Sequence, residues 1–342
     1  MLLAGDVGGT KTLLGLFERT SGRPRAIAVD EFVTLDHDGL EAIVDRFLKA
    51  RGVAARELAA ASLGVAGAIT DQVAHLTNVP WRVRASSLKS ALQLDSVDVL
   101  NDLEALAYAV PVLTVDEIAT LQEGVRVASG NMAVIAAGTG LGESMLLNIE
   151  GRFLPGESEG GHADFAARTA RELEFVATLT RISGRVEVED VLSGPGLLNL
   201  YQFTHDAFGS QPYVQPRTTM PARLCGGVGE IVDPADLPAR ITEAAMGRRC
   251  AQCVETLEMF VSAYGAEAGN LALRTVATAG LYVGGGIAPR ILTTLRNGAF
   301  MSAFRAKAPL DQLVSRVPVS VILNSKAGLL GAAVHANSLP RD

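Results

Sequence analysis

Twice in this chain an apolar run breaks at a short turn of glycine and threonine and then resumes. Residues 2–7 lead into Gly8, Gly9 and Thr10 and out through 12–17; residues 132–137 lead into Gly138, Thr139 and Gly140 and out through 144–149. Such runs with turn residues between them predict two strand–turn–strand hairpins. Glycine serves a hairpin turn by tolerating positive φ. It also serves a phosphate site, because backbone N–H groups can reach the anion with no Cβ in the way. Asp6, at the end of the first run, bears on the choice. A carboxylate at the end of a buried strand is costly unless paired. Beside a phosphate it needs a divalent cation between them, and Mg²⁺ suits that role. The repeated turn therefore predicts two hairpins gripping one phosphate tail from opposite sides, with Asp6 as the metal contact and Thr10 and Thr12 as hydroxyl donors. Neither turn is a P-loop, since Lys11 follows Gly8-Gly9-Thr10 without the required spacing. Nor is the second a dinucleotide fingerprint, since Glu143 stands where the third glycine belongs and a strand follows.

The remaining pattern is strand–helix alternation. Residues 27–34, 60–66 and 97–100 read as strands; Leu40, Ile43, Val44, Phe47 and Leu48 keep helical spacing up to Gly52; another helix begins after Asn101-Asp102. Residues 281–286 give a further strand ending in Gly284, Gly285 and Gly286, a plain β–α turn or a close approach to a flat ring. This order implies an α/β protein with ligands at strand ends, and the two halves are variations on one plan. A length of 342 residues suggests two domains.

A net charge of −7 disfavours nucleic acid and anionic membranes as partners. No run nears the ~18 apolar residues of a membrane span, and no signal segment is evident, so the cytoplasm is expected. Three cysteines argue against a disulfide framework. Cys250 and Cys253 fall with Met246, Leu257, Phe260 and Tyr264 on one stripe of a helical stretch at 241–264, and are read as a core thiol pair rather than zinc ligands.

D-V-G-G-T, G-T-G-L-G and L-Y-V-G-G-G-I resemble the phosphate-1, phosphate-2 and adenosine elements of the superfamily of actin, the hexokinases and the heat-shock chaperone ATPases. More narrowly, L-T-N-V-P-W at 76–81, L-N-D-L-E-A at 100–105, P-G-E-S-E-G-G-H at 155–162, E-D-V-L-S-G-P-G at 189–196 and A-G-L-L-G-A at 327–332 resemble the bacterial ATP-dependent glucokinase family, in order and over nearly the whole chain. Glu157-Ser158 stands as an addition before the family's E-G-G-H. The ROK sugar kinases are a nearby alternative, but their Cys-rich zinc motif does not follow His162.

The resemblance implies a two-lobed actin/hexokinase-like (ribonuclease H-like) α/β fold with mixed sheets and a central cleft. The small lobe would be 1–110 plus 322–342 and the large lobe 111–321, with lobe closure excluding water. It implies a kinase moving the γ-phosphoryl group of ATP to the 6-hydroxyl of glucose. Gly8, Gly9, Thr10, Lys11, Gly138, Thr139, Gly140, Gly284, Gly285 and Gly286 would hold ATP, and Asp6 its Mg²⁺. Asp102 would take the hydroxyl proton, although Asn and Asp at this junction also suit a helix N-cap. The helix N-terminus favours the carboxylate and weakens it as a base. A loose phosphoryl transition state tolerates that. Asn101, Glu159, His162 and Glu189 would contact glucose, with Asn78 as a further contact, Asp164 holding His162 and Trp81 packing its loop. Each also has a structural reading: a core histidine for His162, a solvated or capping acid for Glu189. A kinase for another hexose or amino sugar, and a sugar-sensing regulator with little turnover, are the alternatives. A homodimer is the expected assembly.

Overall fold

The computed structural model describes residues 1–67, 69–76, 79–208, 224–230 and 233–340. Its contacts divide the chain into two units: residues 1–118, 152–157 and 324–342, and residues 119–151 and 158–323.

In the first unit the strand Leu2–Val7 pairs antiparallel with Lys11–Glu18 and parallel with Ala60–Val65. The sheet runs Arg25–Val33, Lys11–Glu18, Leu2–Val7, Ala60–Val65, Val97–Asn101. Period-2 alternation gives the opening strand two working faces. Leu3 and Val7 join a core with Leu40, Ile43, Val44 and Phe47 of the helix Leu40–Arg51. Leu2 and Ala4 join another with Leu329, Ala332 and Ala333 of the helix Ala327–Ser338. Asp6 shares the second face by the same alternation, and a Cβ on Gly328 would lie 2.8 Å from its Oδ2.

The second unit repeats the plan. Met132–Ala137 pairs antiparallel with Leu141–Ile149 and parallel with Gly280–Gly284, which pairs parallel with Val319–Ile322. The likeness between the two halves of the sequence is therefore a repeated hairpin flanked by parallel strands. Behind this sheet pack the helices Gly194–Thr204, Leu237–Met246 and Ala251–Thr275, through Tyr201, Ile241, Phe260 and Tyr264. The helical stretch at 241–264 is thus two helices. The chain breaks at Gly247–Cys250, so Met246 is exposed and Cys250 is an N-cap rather than part of a buried stripe. Its three cysteines form no disulfide. No described helix is long and apolar enough to cross a membrane.

The helix Asp102–Ala109 is set by glycine contacts. Gly64 lets Ala105 approach the sheet, where a Cβ would stand 2.6 Å from the Ala105 Cβ; at Gly331 a Cβ would stand 1.6 Å from the Ala105 carbonyl oxygen. Such contact leaves no room for even one methyl group without backbone movement. Gly331→Ala is expected to destabilise the protein by about 2–3 kcal/mol, read as a lower urea midpoint at unchanged m-value.

Candidate active site

The first glycine turn is closed by the Gly8 N–H bonded to Lys11 O at 2.9 Å. Thr34 supports it from the turn that follows the strand Arg25–Val33: its hydroxyl donates to Gly8 O at 2.8 Å and its N–H donates to Thr10 O. Thr12 is fully buried with its hydroxyl 2.9 Å from that of Thr34, so it braces the turn and is not available to a phosphate. Gly8 and Gly9 are half-buried and Thr10 is exposed. Lys11 is exposed and pairs with Glu31 at 2.7 Å.

Asp6 and Asp102 come together in this unit. Burial pushes the Asp6 carboxyl up to about 6, and the nearby Asp102 carboxylate pushes it the same way. A carboxylate held against a second one is a place where a cation is favoured. Asn101 is the N-cap of the helix Asp102–Ala109, its Oδ1 accepting from Leu103 N at 2.9 Å and its Nδ2 donating to Gly67 O at 3.0 Å. Asp102 is the first residue of that helix, exposed, with Oδ1 accepting the same Leu103 N–H at 2.8 Å. The capping role therefore belongs chiefly to Asn101, and the strand–helix junction presents the carboxylate of Asp102. Trp81 is half-buried against its loop and donates to His37 O at 3.0 Å. Asn78 lies outside the described residues.

In the second unit four predicted segments converge. The turn at 138–140 is closed by Gly138 N–H to Gly140 O and tied to the helix Gly194–Thr204, whose Gly194 N–H donates to Gly138 O, both at 2.8 Å. Thr139 is exposed. Glu189 accepts the Leu141 N–H at 2.7 Å, and a Cβ on Gly140 would meet its Oε2 at 2.6 Å. Glu189 thereby fixes the turn. Gly285, at φ +81° just past the strand Gly280–Gly284, packs against the end of Met132–Ala137, where a Cβ would be 2.2 Å from Ala137 O. Gly284 is buried, while Gly285 and Gly286 are exposed.

The E-G-G-H segment rests on the hairpin through its glycines. A Cβ on Gly161 would be 2.2 Å from Leu141 O, and one on Gly160 would be 2.4 Å from the Glu143 Oε2. Gly161 O in turn accepts the Glu189 N–H at 2.8 Å. Beneath this turn Glu143 is buried; desolvation and then Glu267 push its carboxyl well up, against the opposing pull of Arg274.

His162 leaves the segment exposed, its Nδ1 2.7 Å from Glu187 Oε2 and its Nε2 3.9 Å from Glu159. Glu187, with smaller help from Glu189 and Glu159, raises the imidazole above its ordinary 6.5. Asp164 does not hold His162. It pairs with Arg185 at 2.6 Å, and Arg185 also bonds Glu187 and the His162 carbonyl. Thr34, Glu187 and Gly194 were not legible as site residues. The one signal for Glu187 is the alternation V-E-V-E at 186–189, which puts Glu187 and Glu189 in like positions.

Comparison with known proteins agrees with these motifs. The family model described as Glucokinase matches residues 3–339. The chain is 36% identical over 345 residues to the glucokinase of Trichormus variabilis, covering 99% of each chain. It is similar in structure to a glucokinase from an Antarctic psychrotroph, with TM-score 0.83, 28% identity and 98% of each chain covered. A ROK family glucokinase from Streptomyces griseus, solved with glucose and AMPPNP, shares the fold at TM-score 0.62 and 21% identity, with 98% of each chain covered.

Because the folded-state value of His162 is raised, its protonation adds stability in full below about 6.5, and that contribution is lost as pH rises through the higher value. In Glu187→Gln, the His162 titration followed by NMR is expected to fall back toward the ordinary value. An unchanged titration would rule out Glu187 as the cause.

Proposed function

The chain belongs to the glucokinase family, and on that footing we propose that it transfers the γ-phosphoryl group of ATP to the 6-hydroxyl of D-glucose, giving glucose 6-phosphate and ADP. The observation that supports this most is a full-length family match on a chain whose Asp102 carboxylate stands at a helix N-terminus beside Asp6.

Asp102 orients the 6-hydroxyl and accepts its proton late in the transfer, as suits a loose phosphoryl transition state. Asn101 holds the strand–helix junction and turns its remaining amide N–H toward the sugar. Glu159 and His162 hold sugar hydroxyls, with Glu187 fixing the imidazole. Glu189 contributes by holding the Leu141 end of the turn and offers its other oxygen to the sugar; Asn78 is a further sugar contact.

Backbone N–H groups of Gly8, Gly9, Thr10, Gly138, Thr139 and Gly140 hold the ATP phosphates, with the Thr10 and Thr139 hydroxyls and Lys11 beside them. Gly284, Gly285 and Gly286 give the adenosine a surface without side chains. The paired carboxylates fit Mg²⁺, with Asp6 holding it directly or through water. When bound, the ion neutralises charge on the phosphates. A homodimer in the cytoplasm belongs to the same proposal and rests on the prevalence of symmetric pairs.

Asp102→Ala is expected to fold normally and lose turnover by on the order of 10³-fold or more; near-normal kcat would remove Asp102 from the reaction. A coupled ADP-release assay with glucose, mannose, fructose, galactose and N-acetylglucosamine should show glucose with the highest kcat/KM. Preference for another sugar would reassign the substrate, and no ADP with any sugar would leave a sensor. For Asp6→Asn, the Mg²⁺ concentration giving half-maximal rate should rise by about tenfold or more, and an unchanged requirement would take Asp6 out of the metal site.

A further inference from the structure

Away from the residues assigned to sugar and nucleotide, three stretches of the second unit bring together a set of soft ligands. The helix Gly194–Thr204 ends at His205, its C-cap. Cys225 follows in the short described segment 224–230. Cys250 caps the helix Ala251–Thr275 and Cys253 lies in its first turn. Among the described residues, the ligand atoms of these four side chains all lie within 4.8 Å of one another.

The separations fit a tetrahedral ion better than any thiol–thiol bond. The sulfurs of Cys225 and Cys253 are 3.6 Å apart, far beyond the ~2.05 Å of a disulfide. His205 Nε2 is 3.4 Å from the Cys250 sulfur and 4.0 Å from that of Cys253. Ligands at about 2.3 Å for sulfur and 2.0–2.1 Å for nitrogen, spread tetrahedrally around zinc, stand roughly 3.4–3.8 Å from each other.

The surroundings also prepare the ligands. His205 Nδ1 is 2.9 Å from Tyr201 O, so this nitrogen carries the proton and Nε2 faces the sulfurs with its lone pair. That outer hydrogen bond is the usual way a metal-binding histidine is fixed. The ring stacks on Tyr201 at 3.9 Å between centroids, and the Tyr201 hydroxyl accepts the Cys225 N–H at 2.9 Å. Gly227 allows the turn after Cys225 to close on its neighbour, since a Cβ there would lie 2.9 Å from the Cys250 Cβ. Cys225 and Cys250 are only half-buried, which a purely apolar thiol core would not require.

We propose that His205, Cys225, Cys250 and Cys253 bind one Zn²⁺ as a structural site. Three thiolates and one imidazole are a soft, four-coordinate set that favours zinc and leaves no position for substrate. The ion ties the end of one core helix to the start of another and anchors the chain at 225 between them. Binding releases the thiol protons, so it weakens as pH falls.

The test begins with the full-length protein, expressed with added zinc, purified without chelator and analysed for metals by mass spectrometry. About one zinc per chain is expected. Cys225→Ser and Cys253→Ser should each lose most of it, whereas His205→Cys, which keeps four ligands, should retain it. Reconstitution with Co²⁺ should give the visible and thiolate charge-transfer bands of a tetrahedral sulfur site, and a zinc chelator should lower the Tm of the native protein. Less than about one-tenth of a zinc per chain with three titratable thiols, or a disulfide among these cysteines in freshly purified protein, would overturn the proposal. Zinc retained in full by both serine variants would overturn it equally.

Discussion

Backbone lying directly on backbone is the constraint on which the second unit's site depends. The E-G-G-H segment reaches its place because Gly161 brings its Cα against the Leu141 carbonyl, while Gly160 leaves room for the Glu143 carboxylate. Glu189 reaches the Leu141 N–H only because Gly140 has no side chain in its path. Gly285 closes on Ala137 from the next strand. At Gly161 and Gly285 a Cβ would stand 2.2 Å from a backbone oxygen, so the histidine segment and the glycine-ended strand are held directly against the hairpin. Rigid placement is what phosphoryl transfer asks of a protein, since positioning supplies most of its catalysis.

Negative charge is the second organising element. Asp6 faces Asp102, His162 is bracketed by Glu187, Glu159 and Glu189, and Glu143 sits beside Glu267. Carboxylates gathered in this way raise one another's proton affinity. Each group is answered differently: Asp6 by a place suited to a divalent cation, His162 by taking up a proton, and Glu143 by Arg274 on its rim. The two oxygens of Glu187 are divided between His162 and Arg185, so one carboxylate sets both the tautomer and the charge of the imidazole.

The repeated hairpin was readable because period-2 apolar runs interrupted by glycine have few other folds open to them. Asp102 was readable because an Asn-Asp pair between a strand and a helix marks a helix start. Which of the pair caps the helix was not, since either side chain can reach the Leu103 N–H; the bond from Asn101 to Gly67 decides it. Asp164 and Glu187 are both plausible partners for His162 along the chain. Arg185 pairs with both, and it is the second oxygen of Glu187 that reaches the His162 ring. The stripe expected for the cysteines fails for a related reason: helical spacing carries on through Gly247–Cys250, but the helix does not, and the break sets Cys250 at an N-cap beside His205.

What the sequence by itself determined is therefore local: the hairpins, their glycine turns, the strand–helix junction at Asp102, and the family to which these motifs belong. Each depends on neighbours within a few positions, where φ, hydrogen-bonding capacity and side-chain period are fixed by residue type. Tertiary structure alone decided the partnerships: Thr12 with Thr34, Glu187 with His162, Glu189 with the Leu141 N–H, and three cysteines with His205. Those contacts join residues up to 48 positions apart. Packing of whole helices and strands selects them from several chemically equal candidates, and no local rule ranks those candidates.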